Sequence, residues 1–110
     1  MKKTIVLELA IGEVKPGVSR AEYLQAASAV ETDLRQMPGF RSRTLLAGEG
    51  GLWVDLVYWD SLEEALQAAQ AFTEIPSALP MIAMLNSDTI RMYHLEPVYE
   101  DVVQAGEGER

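Results

Sequence analysis

The chain has 110 residues, the length of one domain, and its 48% apolar and 24% charged residues exclude wholesale disorder and collagen-like repeats. With no cysteine there is no disulfide, thiolate zinc site, iron–sulfur cluster or cysteine nucleophile, and a single histidine leaves no multi-histidine metal site within one subunit. Seventeen acids against nine bases, a net charge of −8, argue against binding nucleic acid through its phosphates.

Lys2 and Lys3 precede an apolar run, but Glu8 interrupts it and no small-residue cleavage site follows, so no signal peptide is expected. No stretch approaches the roughly 20 apolar residues of a membrane span. The expected location is cytoplasmic, with no membrane and no nucleic acid among the partners.

Residues 4–14 alternate with period two and read as a strand, with Ile5, Leu7, Leu9 and Ile11 on one face and Val6, Glu8 and Ala10 on the other. Lys15-Pro16-Gly17 stops it. Ser19 and Glu22 form a capping box. Leu24, Ala27, Val30, Leu34 and Met37 then recur at helical spacing, up to the stop at Pro38-Gly39. Residues 40–47 and 52–60 read as antiparallel strands joined by the turn Gly48-Glu49-Gly50-Gly51. Ser61 and Glu64 repeat the capping box before a second helix carrying Leu62, Leu66, Ala69 and Phe72 and ending before Pro76. Residues 77–86 suggest a short irregular helix or lid. Residues 89–99 are the last strand, with Pro97 limiting its ladder. Residues 1–99 are expected to form a single domain and 100–110 a flexible acidic tail.

The order β-α-β-β-α-β defines an α+β fold: a ferredoxin-like protomer with a four-stranded antiparallel sheet and both helices on one face. With the aliphatic set of strand one turned to the helices, Val6, Glu8 and Ala10 face away. In strand three Leu52, Val54, Leu56 and Tyr58 take the helix side, leaving Trp53, Asp55, Val57 and Trp59 on the uncovered face. Two tryptophans, a valine and a carboxylate on such a face mark a partner or a ligand. Either it is a dimer interface with Asp55 bridged to an arginine, or it is a pocket closed by a second subunit. Both require a homodimer.

Pro38-Gly39-Phe40 between helix one and strand two, and Val57-Tyr58-Trp59-Asp60-Ser61-Leu62 running from strand three into helix two, resemble the antibiotic biosynthesis monooxygenase-like domains of the dimeric α/β-barrel superfamily. The resemblance spans about residues 4–99. It implies a protomer whose sheet pairs with its twin into a barrel. Members include cofactor-free oxygenases of polyphenolic substrates and haem-degrading enzymes. The haem-degrading members take an iron ligand from a histidine in the second helical region, and residues 62–86 contain none. The quinone-forming members place an asparagine four residues before the strand-three tryptophan. Asp55 stands there in this chain, and an ionised aspartate cannot donate the hydrogen bond of an amide.

His94 is the one side chain whose ordinary pKa lies near neutrality. Ile90, Met92, His94 and Glu96 share one face of the last strand and Arg91, Tyr93 and Leu95 the other. If Ile90 and Met92 pack on the helices, Arg91 and Tyr93 face the barrel interior; if a bulge intervenes, His94 does. Glu8 and Asp55 are expected on one face of adjacent strands, suited to acid–base work or to a shared salt bridge with Arg91 or Arg43. Arg41 and Arg43 read as solvated charge near an edge. Met81, Met84 and Met92 could line an apolar pocket. No phosphate loop, GxSxG elbow or HExxH motif is present.

The expected function is that of a cofactor-independent monooxygenase-like enzyme for a small aromatic or polycyclic substrate, using no cofactor and no metal. Asp55 or His94 is the candidate catalytic base. Trp53, Trp59, Glu8, Arg91 and Tyr93 are the candidate substrate-binding residues, with Arg91 stabilising an anion. The alternatives are a non-catalytic dimer that binds a small apolar ligand, and a purely structural dimer.

Overall fold

A computed structural model describes residues 4–101, so most of the expected tail lies outside the described residues. Four strands, β1 (Val6–Glu13), β2 (Phe40–Ala47), β3 (Leu52–Trp59) and β4 (Arg91–Leu95), form one antiparallel sheet in the order β2-β3-β1-β4. The hairpin joining β2 to β3 turns through Gly50 and Gly51 at φ 68° and 81°, a region that favours glycine. β4 is shorter than the sequence suggests. Residues 87–89 form a 3₁₀ turn, and the ladder ends at Leu95, before Pro97.

α1 (Arg20–Ser28) starts at the expected capping box: Ser19 Oγ accepts from Glu22 N–H at 3.0 Å and Glu22 Oε1 accepts from Ser19 N–H at 2.9 Å. The helix does not run through to Pro38. It breaks at Ala29–Val30 and resumes as α2 (Glu31–Arg35). At the break the Arg43 guanidinium donates to the Ala27 carbonyl at 2.7 Å, taking the acceptor that a continuous helix would give to residue 31. A cation at a helix C-terminus is also favoured by the helix dipole.

α3 (Leu62–Phe72) has Ser61 as its N-cap, accepting from Glu64 N–H at 3.2 Å. The Ser61 hydroxyl also donates to the Glu64 carboxylate at 3.0 Å. A 3₁₀ turn at Pro76–Ala78 and α4 (Leu79–Ala83) account for the irregular segment. Among the described residues no helix is long and apolar enough to cross a membrane.

The facing of the sheet is the reverse of the sequence expectation. Val6, Glu8, Trp53, Val57 and Trp59 are buried with Tyr23, Ala26, Ala27, Val30, Leu34, Ala65 and Ala68, so the tryptophan face meets the helices. Ile5, Leu7, Leu9, Ile11, Val54, Leu56 and Tyr58 lie on the uncovered face and stay partly exposed. The helix stripes rotate accordingly. Leu24, Leu62 and Leu66 are exposed at 46%, 48% and 49%, while alanines and Tyr23 point inward. Volume contributes: beside the two indoles the helices place mostly alanines, with Tyr23 stacked on Trp53 at 4.7 Å.

Candidate functional site

Between the helix-side face of the sheet and α3 and α4 lies a cavity of about 120 Å³. Its polar groups are Glu8 and Asp55, with Thr73 at one side. Trp59, Phe72, Met81 and Met92 supply most of the apolar wall. The space exists because Ala10, Ala68 and Ala69 present only methyl groups to it. An apolar cavity of roughly this size, ~150 Å³, takes benzene, whereas drug-sized ligands need ~300 Å³ or more. The larger depression of about 530 Å³ over Ile5, Arg41, Ser42 and Tyr58 is an open groove on the other face. It brings together no candidate acid–base pair, and the cavity beside Glu8 and Asp55 is the better site.

Asp55 is held by Arg43. Nε bonds Oδ1 at 3.0 Å and Nη2 bonds Oδ2 at 2.8 Å, with only 6% of the arginine side chain and 16% of the aspartate side chain exposed. Arg43 is therefore no solvated edge charge; the register Arg43↔Val57 puts it on the helix side. Its fork spans the Asp55 carboxylate, the Ala27 carbonyl and, at 3.8 Å, the Met81 sulfur. Arg41 does remain at the surface, paired with Asp60 at 2.9 Å. Burial pushes the Tyr23 hydroxyl up to about 12, the Asp55 charge adds to this, and Arg43 partly opposes it.

Glu8 sits in a different environment. It is 8% exposed, near the middle of the central strand, and its partners are uncharged or conditionally charged. Trp59 Nε1 donates to Oε1 at 3.4 Å, and His94 Nε2 lies 3.0 Å from Oε2. Burial raises the Glu8 carboxyl above its ordinary 4.5; the His94 and Trp59 hydrogen bonds and the His94 charge pull against that rise, and the Asp55 charge reinforces it. The pairs Glu8↔His94 and Ala10↔Met92 run without a bulge, which fixes His94 and Met92 on the helix side.

The other candidates are not brought to the cavity. Trp53 packs on Tyr23 with ring centroids 4.7 Å apart. Tyr93 pairs with Leu9 and Arg91 with Ile11, so both occupy the uncovered face. Arg91 spends its Nη1 on the carbonyls of Asp88 and Ile90. Of the methionines, Met81 and Met92 line the cavity, while Met84 packs against the core. The contribution of Phe72 to the cavity wall was missed; its place at the inward end of the α3 period was the available signal. Among the described residues no three histidine or carboxylate side chains converge as a metal site.

No protein-family model matches the chain, and no curated protein matches it. Solved structures do. A Bordetella bronchiseptica protein named as a candidate antibiotic biosynthesis monooxygenase superposes with a TM-score of 0.72 at 16% identity, covering 88% of this chain and 100% of the other. Rv0793 of Mycobacterium tuberculosis superposes at 0.64 with 20% identity, covering 90% and 100%. SnoaB of Streptomyces nogalater, a cofactor-independent oxygenase, superposes at 0.60 with 18% identity, covering 91% and 97%. The chain thus has the ferredoxin-like α+β fold of the antibiotic biosynthesis monooxygenase-like proteins.

Proposed function

We propose that the chain is a cofactor-independent oxygenase acting on a small aromatic hydroxyl compound held in the cavity between sheet and helices. The observation that carries this reading is Glu8: a buried carboxyl facing an apolar cavity, hydrogen-bonded by Trp59 and His94 and paired with no guanidinium. Asp55, by contrast, is occupied by Arg43 and is assigned a structural role.

A general base works best when its proton affinity approaches that of its target, and burial moves Glu8 in that direction. The cavity size favours one ring over a polycycle. Its charge favours a neutral substrate. Arg43 balances Asp55, so an ionised Glu8 repels an anion until it has itself taken the substrate's proton. The resulting phenolate is electron-rich and gives its electrons to dioxygen. One oxygen atom bonds to ring carbon, the other leaves as water with the two hydrogens lost from the hydroxyl and the ring C–H, and the product is a quinone.

The same reading includes a homodimer. Leu7, Leu9, Ile11, Val54 and Leu56 form an aliphatic sheet face that no element of the described residues covers, and a second copy would remove it from water at about 25 cal/mol per Å².

Oxygen consumption with a panel of single-ring phenols and hydroquinones tests the proposal. Uptake above the background rate, abolished in Glu8→Gln while the variant keeps its melting transition, is the expected result. Phenol binding without oxygen uptake would replace the enzyme with a small-ligand carrier. Uptake that persists in Glu8→Gln would remove Glu8 as the base.

A further inference from the structure

Glu8 lines the cavity, and His94 meets the Glu8 carboxylate from outside the cavity wall. The histidine ring also borders a surface groove of about 380 Å³ with Thr4, Ser61, Leu62 and Glu96. His94 Nε2 is 3.0 Å from Glu8 Oε2, and its side chain is 18% exposed. Nδ1 has no hydrogen-bond partner among the described residues. One ring therefore spans from a buried carboxyl to the outer surface.

We infer that Glu8 and His94 form one proton-sharing pair, in which His94 is the positioning residue that exchanges the proton of Glu8 with solvent through the outer groove. The inference rests on the proposed role of Glu8 as base and adds the route by which its proton comes and goes.

The geometry supplies each step. With Glu8 ionised, Nε2–H donates to Oε2 and holds the carboxylate toward the cavity. When Nδ1 takes a proton from groove water and the Nε2 hydrogen passes to Oε2, Glu8 is protonated, its O–H donates to Nε2, and the ring is left with its hydrogen on Nδ1. Transfer to Nε2 and loss from Nδ1 to groove water return the carboxylate, and the reverse sequence reloads it. The cavity need not open to water. Among the described residues no other offers this passage. Asp55 and Trp59 face Glu8 from β3, and Arg43 of β2 stands behind Asp55, fully engaged with it. α3 and α4 turn only Ala68, Ala69, Phe72 and Met81 toward it, none of them titratable. Trp59 donates but cannot accept a proton.

The test follows the Glu8 carboxyl carbon by ¹³C NMR across a pH titration, its signal assigned as the one missing from Glu8→Gln. In wild type one averaged line is expected. In His94→Phe, which keeps an aromatic ring and removes both nitrogens, proton exchange at Glu8 should slow at least tenfold and the line should broaden or split. In His94→Gln, which can still donate to Oε2 but cannot relay, exchange should slow as in His94→Phe, and the midpoint should move further up as the imidazole's contribution to the carboxylate is lost. Imidazole added to His94→Gly should restore fast exchange. Exchange as fast in both His94→Phe and His94→Gln as in wild type would overturn the inference, because the proton would then leave through the cavity itself. If His94→Phe does not fold, His94→Gln and the imidazole experiment decide the matter. No substrate enters these measurements. Absent oxygen uptake would therefore cancel the oxygenase reading and leave the pair intact, whereas normal uptake with unchanged exchange would do the reverse.

Discussion

Asp55→Asn separates a structural carboxylate from a catalytic one. In the wild-type protein the Arg43 fork meets both Asp55 oxygens at 3.0 and 2.8 Å, with the arginine side chain 6% exposed. Removing one member of such a pair leaves a charge in a site with little water, at a cost of about 3–5 kcal/mol. Asparagine keeps one acceptor oxygen, and the Ala27 carbonyl still holds one arm of Arg43, so the lower end, about 3 kcal/mol, applies. With a urea slope near ~1.5 kcal/mol per M, the unfolding midpoint should fall by roughly 2 M. The double variant Arg43→Met, Asp55→Leu removes both charges and should recover part of that loss. Recovery is incomplete because the Ala27 carbonyl loses its charged donor and keeps only backbone donors such as Val30 N–H at 3.4 Å. Urea denaturation followed by tryptophan fluorescence reads all three proteins. An Asp55→Asn midpoint within about 0.5 M of wild type would refute the reasoning, since the pair would then not be what neutralises Asp55.

Two further outcomes follow from the same structure. Glu8 has a folded pKa above its unfolded 4.5, so the folded state holds this proton more tightly and stability is lost as pH rises from the unfolded value through the folded one. Glu8→Gln should therefore be more stable than wild type near pH ~7 and equal to it near pH ~4; thermal melts at the two pH values check this, and a constant gap would contradict it. On the uncovered face, Leu9→Glu places a charge between Leu56 and Tyr93 on the neighbouring strands. It should yield a monomer by sedimentation velocity while the melting transition survives, and an unchanged dimer would place the interface elsewhere.

Much of the architecture was legible because local chemistry agrees with it. Ser19 and Glu22 form the box that their spacing announces, and Pro38-Gly39 stops the helical stretch. Gly39 sits at φ 84°, where a Cβ would lie 2.5 Å from the Glu64 carboxylate, so both the turn and the close approach require glycine. β2 and β3 have the expected limits to within a residue because the glycine turn fixes their ends. The break at Ala29–Val30 was not legible. It depends on Arg43, thirteen residues past Val30 and on another element, reaching the Ala27 carbonyl. No local propensity carries that information.

The facing failed for a different reason. Alternation shows that a strand has two faces, but naming the inner one requires a contrast in polarity, and here both faces are largely apolar. Choosing the purely aliphatic set as inner treats hydrophobicity as the sole criterion for burial. The structure follows a second criterion. Polar groups such as Glu8, Asp55 and Arg43 can be buried only where partners meet them, and the helix side provides the Ala27 carbonyl, the Trp59 N–H and the His94 ring. The aliphatic face needs no such partners and can await a flat apolar surface, such as that of a second copy. The arrangement also explains why the site candidates divide as they do. Glu8, Asp55, Trp59 and His94 share the face where buried polar atoms are satisfied, while Arg91 and Tyr93, one residue out of phase on the same strand as His94, fall on the other. Arg43 on the helix side neutralises Asp55, whereas Glu8 on the same face is met by the Trp59 N–H and the His94 ring.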